Sequence, residues 1–176
     1  MMLARLELRW TNRRAGPKTV NTSFTGMTPD GELISAASPR RFLDFVVDGV
    51  SLYAVIQGLG YDLISCLDSY SMCDPQFTSA KRLFGETEPD SHARQCSLFV
   101  CPECANLDCG VVTVKVDRGG KIISWSDIAW EHYDLEDEDV GSVMVPSYKR
   151  LDAVGPFEFD AARLRDALLR PPPDIM

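Results

Sequence analysis

Alternation of apolar and polar positions is the strongest signal along this chain. Residues 3–10 (LARLELRW) put Ala4, Leu6, Leu8 and Trp10 on one face and Arg5, Glu7 and Arg9 on the other, the pattern of a strand with one solvated side. Residues 18–25 (KTVNTSFT) form a weaker, β-branched strand candidate, and TPDGE at 28–32 reads as a turn. The stretch 42–56 (FLDFVVDGVSLYAVI) reads as two strands folded around Asp48-Gly49, a type I′ hairpin signal. YDLISCL, 61–67, is a further strand candidate. Strands are also expected over 95–100 (QCSLFV), 111–116 (VVTVKV) and 121–130 (KIISWSDIAW).

Two segments carry helix punctuation instead. DPQFTSAKRLFG, 74–85, has Asp74 as N-cap, Pro75 at the first helical position and Gly85 at the end. FEFDAARLRDALL, 157–169, predicts a short amphipathic helix capped by Asp160, and the proline-rich tail at 171–176 cannot continue it. With about seven or eight strands in hairpin order and two short helices, the expected class is α+β with a mostly antiparallel sheet. No repeat interrupts residues 1–176, so one domain is expected.

Composition narrows the partners. The chain has 176 residues, 45% of them hydrophobic and 25% charged, which is ordinary globular usage. Residues 1–30 lack a charged start followed by an apolar core, and no stretch approaches the roughly 18 apolar residues of a membrane span, so a cytoplasmic location is expected. The net charge of −8 disfavours nucleic acid and anionic lipid and suits a basic protein. Much of that charge sits in 131–139 (EHYDLEDED), where Glu131, Asp134, Glu136, Asp137, Glu138 and Asp139 are acidic. This run reads as a solvated loop or, with Trp130 and Tyr133, as a docking patch for a basic partner. Trp125 and Trp130 lie five apart, so strict alternation puts them on opposite faces, one in the core and one at the surface.

Chemical specificity is concentrated in CPECANLDCG, 101–110. Cys101-x2-Cys104 has knuckle spacing, and Cys109 falls where the chain turns back as a strand. A hairpin over 95–116 would bring three sulfurs together. A closed zinc site needs a fourth ligand. Cys96 lies about 16 Å back along an extended strand and points the other way. Cys66, Cys73, His92 and His132 are better placed, with His132 favoured because a meander returns AWEH to the hairpin. Structural zinc on Cys101, Cys104, Cys109 and His132 stands beside two alternatives: free thiols in a tight loop, or a disulfide of Cys101 with Cys104 or Cys109.

The stretches LFVCPECANLDCGVVTVKV, ISWSDIAWEHYD and GPFEFDAARLRDAL resemble a set of small uncharacterised bacterial proteins. These carry a CPxC…CG hairpin, a strand ending in W-E and a closing FxFD helix. The resemblance spans roughly residues 95–170 and implies a fold, with no activity to carry over. No G-x-S-x-G, H-E-x-x-H, P-loop or G-x-G-x-x-G occurs, and the chain has only two histidines. The expected function is therefore a non-enzymatic acidic binding protein, of the bacterial immunity or antitoxin kind, that neutralises a basic toxin. A small zinc-stabilised regulatory or metabolic protein is the alternative, and a cysteine-dependent enzyme ranks behind both.

Overall fold

Strand β1 (Leu6–Arg13) keeps the alternation expected of it, with Leu6 buried, Glu7 and Arg9 turned outward, and Leu8 and Trp10 against the core. The computed structural model describes residues 2–13, 40–68, 77–138 and 141–174, with the backbone alone for 134–138 and 141–145. The strand and turn expected over 18–32, and Asp74, Pro75 and Cys73, lie outside the described residues.

β1 runs antiparallel to β2 (Arg40–Val47), in register from Leu6↔Val47 to Arg13↔Arg40. Asp48 and Gly49 then turn the chain with φ of 49° and 84°, as a type I′ hairpin requires. The second strand expected of this hairpin stops after two residues, β3 (Val50–Ser51), and Leu52–Gly58 forms helix α1. Capping decides this local competition. Ser51 Oγ accepts the Ala54 N–H at 3.0 Å, while Asp44 on β2 accepts Ser51 Oγ–H and the Tyr53 N–H. Burial raises the Asp44 carboxyl above its ordinary value, against the pull of those bonds. β2 is buried without interruption from Phe42 to Val47 because both its faces are covered. Phe42 packs on Tyr53 of α1, and Phe45 faces inward to Phe99 and Trp125.

The remaining strands are β4 (Ile64–Ser65), β5 (Cys96–Val100), β6 (Val111–Gly119), β7 (Ile122–Glu138), β8 (Gly141–Arg150) and β9 (Phe157–Asp160). β4 to β8 pair in sequence order, all antiparallel, and β9 pairs with β7. Helix α2 (Thr78–Leu83) precedes β5, and α3 (Ala161–Leu169) follows β9, capped by Asp160 as expected. Nine strands in two sheets and three α-helices make an α+β protein of mostly antiparallel sheet among the described residues.

Two isolated β-bridges join the sheets among the described residues. Ala4 bridges Phe159 with its N–H on the Glu158 carbonyl, and Phe42 bridges Asp68 with the Leu43 N–H on the Leu67 carbonyl. Pairings thus run in a ring through β1, β2, β4, β5, β6, β7 and β9. Phe45, Phe99, Trp125 and Phe159 meet inside it, with ring centroids 5.0 to 5.8 Å apart. Trp125 also donates its Nε1–H to the Leu83 carbonyl, which fastens α2 to the core.

Both tryptophans are buried, Trp125 fully and Trp130 at 4% exposure, against the opposite faces that strict alternation implies. The register explains it. Thr113 pairs with Ala129 and Lys115 with Ser126, so β7 carries one extra residue there, near Asp127 with φ 48°. One inserted residue restores both side chains to the same face. Nor is the acidic run a loop. β7 continues through Glu138, each residue from His132 on pairing with β8, from His132↔Ser147 to Glu138↔Gly141. A strand partner from the next segment overrides the low β-propensity of Asp and Glu.

Candidate metal centre

The β5–β6 connection begins as Pro102 turns the chain and the Ala105 N–H bonds back to the Cys101 carbonyl at 2.9 Å. Ala105 takes φ 54°. The Asn106 side chain then accepts the Asp108 N–H at 3.0 Å and starts a 3-10 turn over Leu107–Cys109. Gly110 ends that turn at φ 99°, with its N–H on the Leu107 carbonyl. A Cβ at Gly110 would lie 2.0 Å from Trp130 Cη2, so the indole packs closely on the backbone that delivers Cys109.

This loop brings the Sγ atoms of Cys101, Cys104 and Cys109 within 4.8 Å of one another, with 3.4 Å between Cys104 and Cys109. Around a tetrahedral ion with bonds of about 2.3 Å, sulfurs sit roughly 3.8 Å apart. The three thiols can therefore hold a metal ion with only small movements. Cys101 is buried, Cys109 half-buried and Cys104 exposed. For Cys104, burial opposes ionisation, but the Asn106 N–H and the neighbouring thiols hydrogen-bond its sulfur and bring its pKa below the ordinary value. Burial and the neighbouring sulfurs push Cys109 up to about 12.

The other described cysteines lie elsewhere. Cys66 and Cys96 belong to the core cluster, where burial pushes the Cys96 thiol up to about 11 and Cys66 higher still. Cys96 bonds the Arg82 carbonyl at 3.5 Å. The expected ligand His132 does not join the sulfurs; its ring stacks on Trp130, centroids 5.5 Å apart. Trp130 and His132 sit two apart on one face of β7, and the packing that buries Trp130 claims the imidazole as well. His92, also weighed as a ligand, faces Asp108 at 3.3 Å and Tyr133 at 5.0 Å between rings.

Sequence reading missed the residues that anchor the loop. Arg13, 2% exposed, forms a bidentate pair with Asp62 at 2.9 and 2.5 Å and reaches Glu103 at 2.9 Å. Arg40 donates to the Glu103 carbonyl at 2.9 Å. Glu103, unremarked inside CPEC, is thus the point where the cysteine loop is tied to β1 and β2. The ends of Arg13 and Arg40 meet it because these residues are register partners. A cavity of about 350 Å³ opens beside the loop, bordered by Arg40, Asp68, Cys101 and Cys104.

Of the residues assigned to a docking patch, Trp130 and Glu131 are each 4% exposed and so are not presented at a surface. Glu131 accepts the Ala93 N–H at 3.2 Å. Tyr133 is half-buried against His92. The backbone of Asp134, Glu136, Asp137 and Glu138 lies in β7, and Asp139 is outside the described residues.

No protein-family model matches the chain, and no curated protein or solved structure matches it. No helix among the described residues is long and apolar enough to cross a membrane.

Proposed function

We propose that this is a zinc-binding domain in which Cys101, Cys104 and Cys109 clamp one ion at the neck of the β5–β6 hairpin. The convergence of three sulfurs within 4.8 Å carries the reading. An all-thiolate set favours a soft or borderline ion, and zinc closes such a set tetrahedrally without redox chemistry. The role is structural: the ion pins a loop whose other anchors, Arg13 and Arg40, already fix it to the first sheet. Cys73, by its thiol, and His132, by its imidazole, are the candidates to test as fourth ligand.

The purified protein is expected to contain one zinc per chain, and a chelator should lower its melting temperature. Cobalt substitution should give thiolate-to-cobalt charge transfer that Cys104→Ser weakens and Cys96→Ser leaves intact. Loss of one further thiolate in Cys73→Ser, or of a nitrogen donor in His132→Ala, assigns the fourth ligand. A metal-free protein with a chelator-insensitive melting temperature overturns the reading.

A second reading rests on the ribbon of β7 and β8. Beyond Val111↔Glu131 the pairings of β7 with β6 end, and from His132 to Glu138 it is bonded to β8. A two-stranded ribbon is marginal by itself in water. One bearing Asp134, Glu136, Asp137 and Glu138 suits a basic protein, such as a toxin domain neutralised by an immunity-type partner. Reversing these four charges to lysine should abolish a salt-sensitive association with such a partner. Equal binding by the reversed variant removes this reading.

A further inference from the structure

We infer that Cys104 and Cys109 are a covalent modification site: a dithiol that hydroperoxides oxidise to an intramolecular disulfide. This rests on the geometry of the thiols, and its metal-release arm rests also on the zinc reading above.

Three features set this pair apart from the other described cysteines. The Cys104 and Cys109 sulfurs are 3.4 Å apart, near van der Waals contact, so bonding requires a displacement of little more than an ångström. Cys104 is exposed, whereas Cys66, Cys96 and Cys101 are all buried. An oxidant arriving from solvent therefore meets Cys104 first. Finally, the Asn106 N–H points at the Cys104 sulfur from 3.4 Å and stabilises charge on that atom during attack. The disulfides of Cys101, an alternative that the spacing leaves open, would draw on the thiol that the fold shields.

The chemistry balances with peroxide as the two-electron oxidant. The Cys104 sulfur attacks one peroxide oxygen, the O–O bond breaks, and the leaving oxygen departs as water or alcohol, leaving a sulfenic acid. The Cys109 sulfur then attacks that sulfur, the S–O bond breaks, and water leaves as the S–S bond forms. A metal at this site would lose two thiolate ligands, since of the three cysteines only Cys101 then keeps a thiolate to offer, and it would be released. Oxidation thereby unpins the loop, and a thiol reductant restores it.

The test treats the full-length protein with stoichiometric hydrogen peroxide, then alkylates and maps the thiols by mass spectrometry. The expected result is loss of two free thiols per chain, both in a Cys104–Cys109 disulfide, release of the bound metal to a chromophoric chelator, and reversal by dithiothreitol. Cys109→Ser should stop at a Cys104 sulfenic acid that dimedone traps, and Cys104→Ser should leave the Cys109 thiol reduced through the same treatment. A disulfide mapped to Cys101, or Cys104 alkylated equally before and after peroxide, overturns the inference. A chain isolated without metal that still forms the Cys104–Cys109 bond upholds it and removes the zinc reading. A zinc-loaded chain whose thiols stay reduced does the reverse.

Discussion

Gly110→Ala should lower the unfolding free energy by about 3 kcal/mol or more, a large share of what a domain of this size commands. Two costs combine. Alanine at φ 99° leaves the region L-residues favour, and its methyl would stand 2.0 Å from Trp130 Cη2 and 2.5 Å from Cζ2. Trp130 cannot give way easily, because Tyr61 lies at 4.8 Å on it and His132 stacks at 5.5 Å between rings. Gly49→Ala is the control. Its φ is 84° but a Cβ there meets nothing within 4 Å, so the backbone cost of roughly 1 kcal/mol stands alone. Urea titration of both variants separates the contact from the conformation. Equal midpoints would mean that Trp130 does not pack on this loop. Since Gly110 directly follows Cys109, the alanine variant should also bind metal more weakly.

The second large effect is expected at Arg13. Arg13→Met should cost about 3 kcal/mol, the lower end for breaking a buried ion pair, because Asp62 and Glu103 retain 20% and 31% side-chain exposure. Most of that loss comes from carboxylates left without their cation, so combining Arg13→Met with Asp62→Leu and Glu103→Gln should recover part of it. Lysine should not substitute well, since one ammonium cannot reproduce a bidentate pair and a third contact at once. Arg150→Ala, which removes ion pairs from a side chain 61% exposed, should change the melting temperature little. Thermal unfolding ranks the variants. An Arg13→Met protein as stable as the parent would show that the cysteine loop is not tied to β1 through Glu103.

What could be read from the chain beforehand was whatever local chemistry decides. Period-two alternation located β1, though its boundaries shifted by three residues at each end, and short apolar runs on either side of the cysteine segment located β5 and β6. Asp48-Gly49 announced its turn through the backbone conformations these residues tolerate, and Asp160 its helix through a side chain that reaches the Arg163 N–H. The convergence of Cys101, Cys104 and Cys109 was legible for the same reason: nine residues of hairpin neck leave their sulfurs few places to go.

Other features needed partners distant in sequence. SLYAVIQG is as apolar and β-branched as a strand, and it becomes a helix because Asp44, on another element, caps its start with Ser51. The acidic run is a strand because β8 supplies its hydrogen bonds, a segment the sequence pattern left without an element. Trp125 and Trp130 share a face because the two strands disagree by one residue, which neither strand alone reveals. His132 was drawn toward the sulfurs by its place in the chain but is held by Trp130. The sequence by itself determined the turns, the caps and the three-thiol loop, since each is settled within about ten residues. Tertiary structure decided which strand ran on, which helix displaced a strand, and which charges anchor the loop, because burial and register are properties of pairs that the chain brings together only when folded.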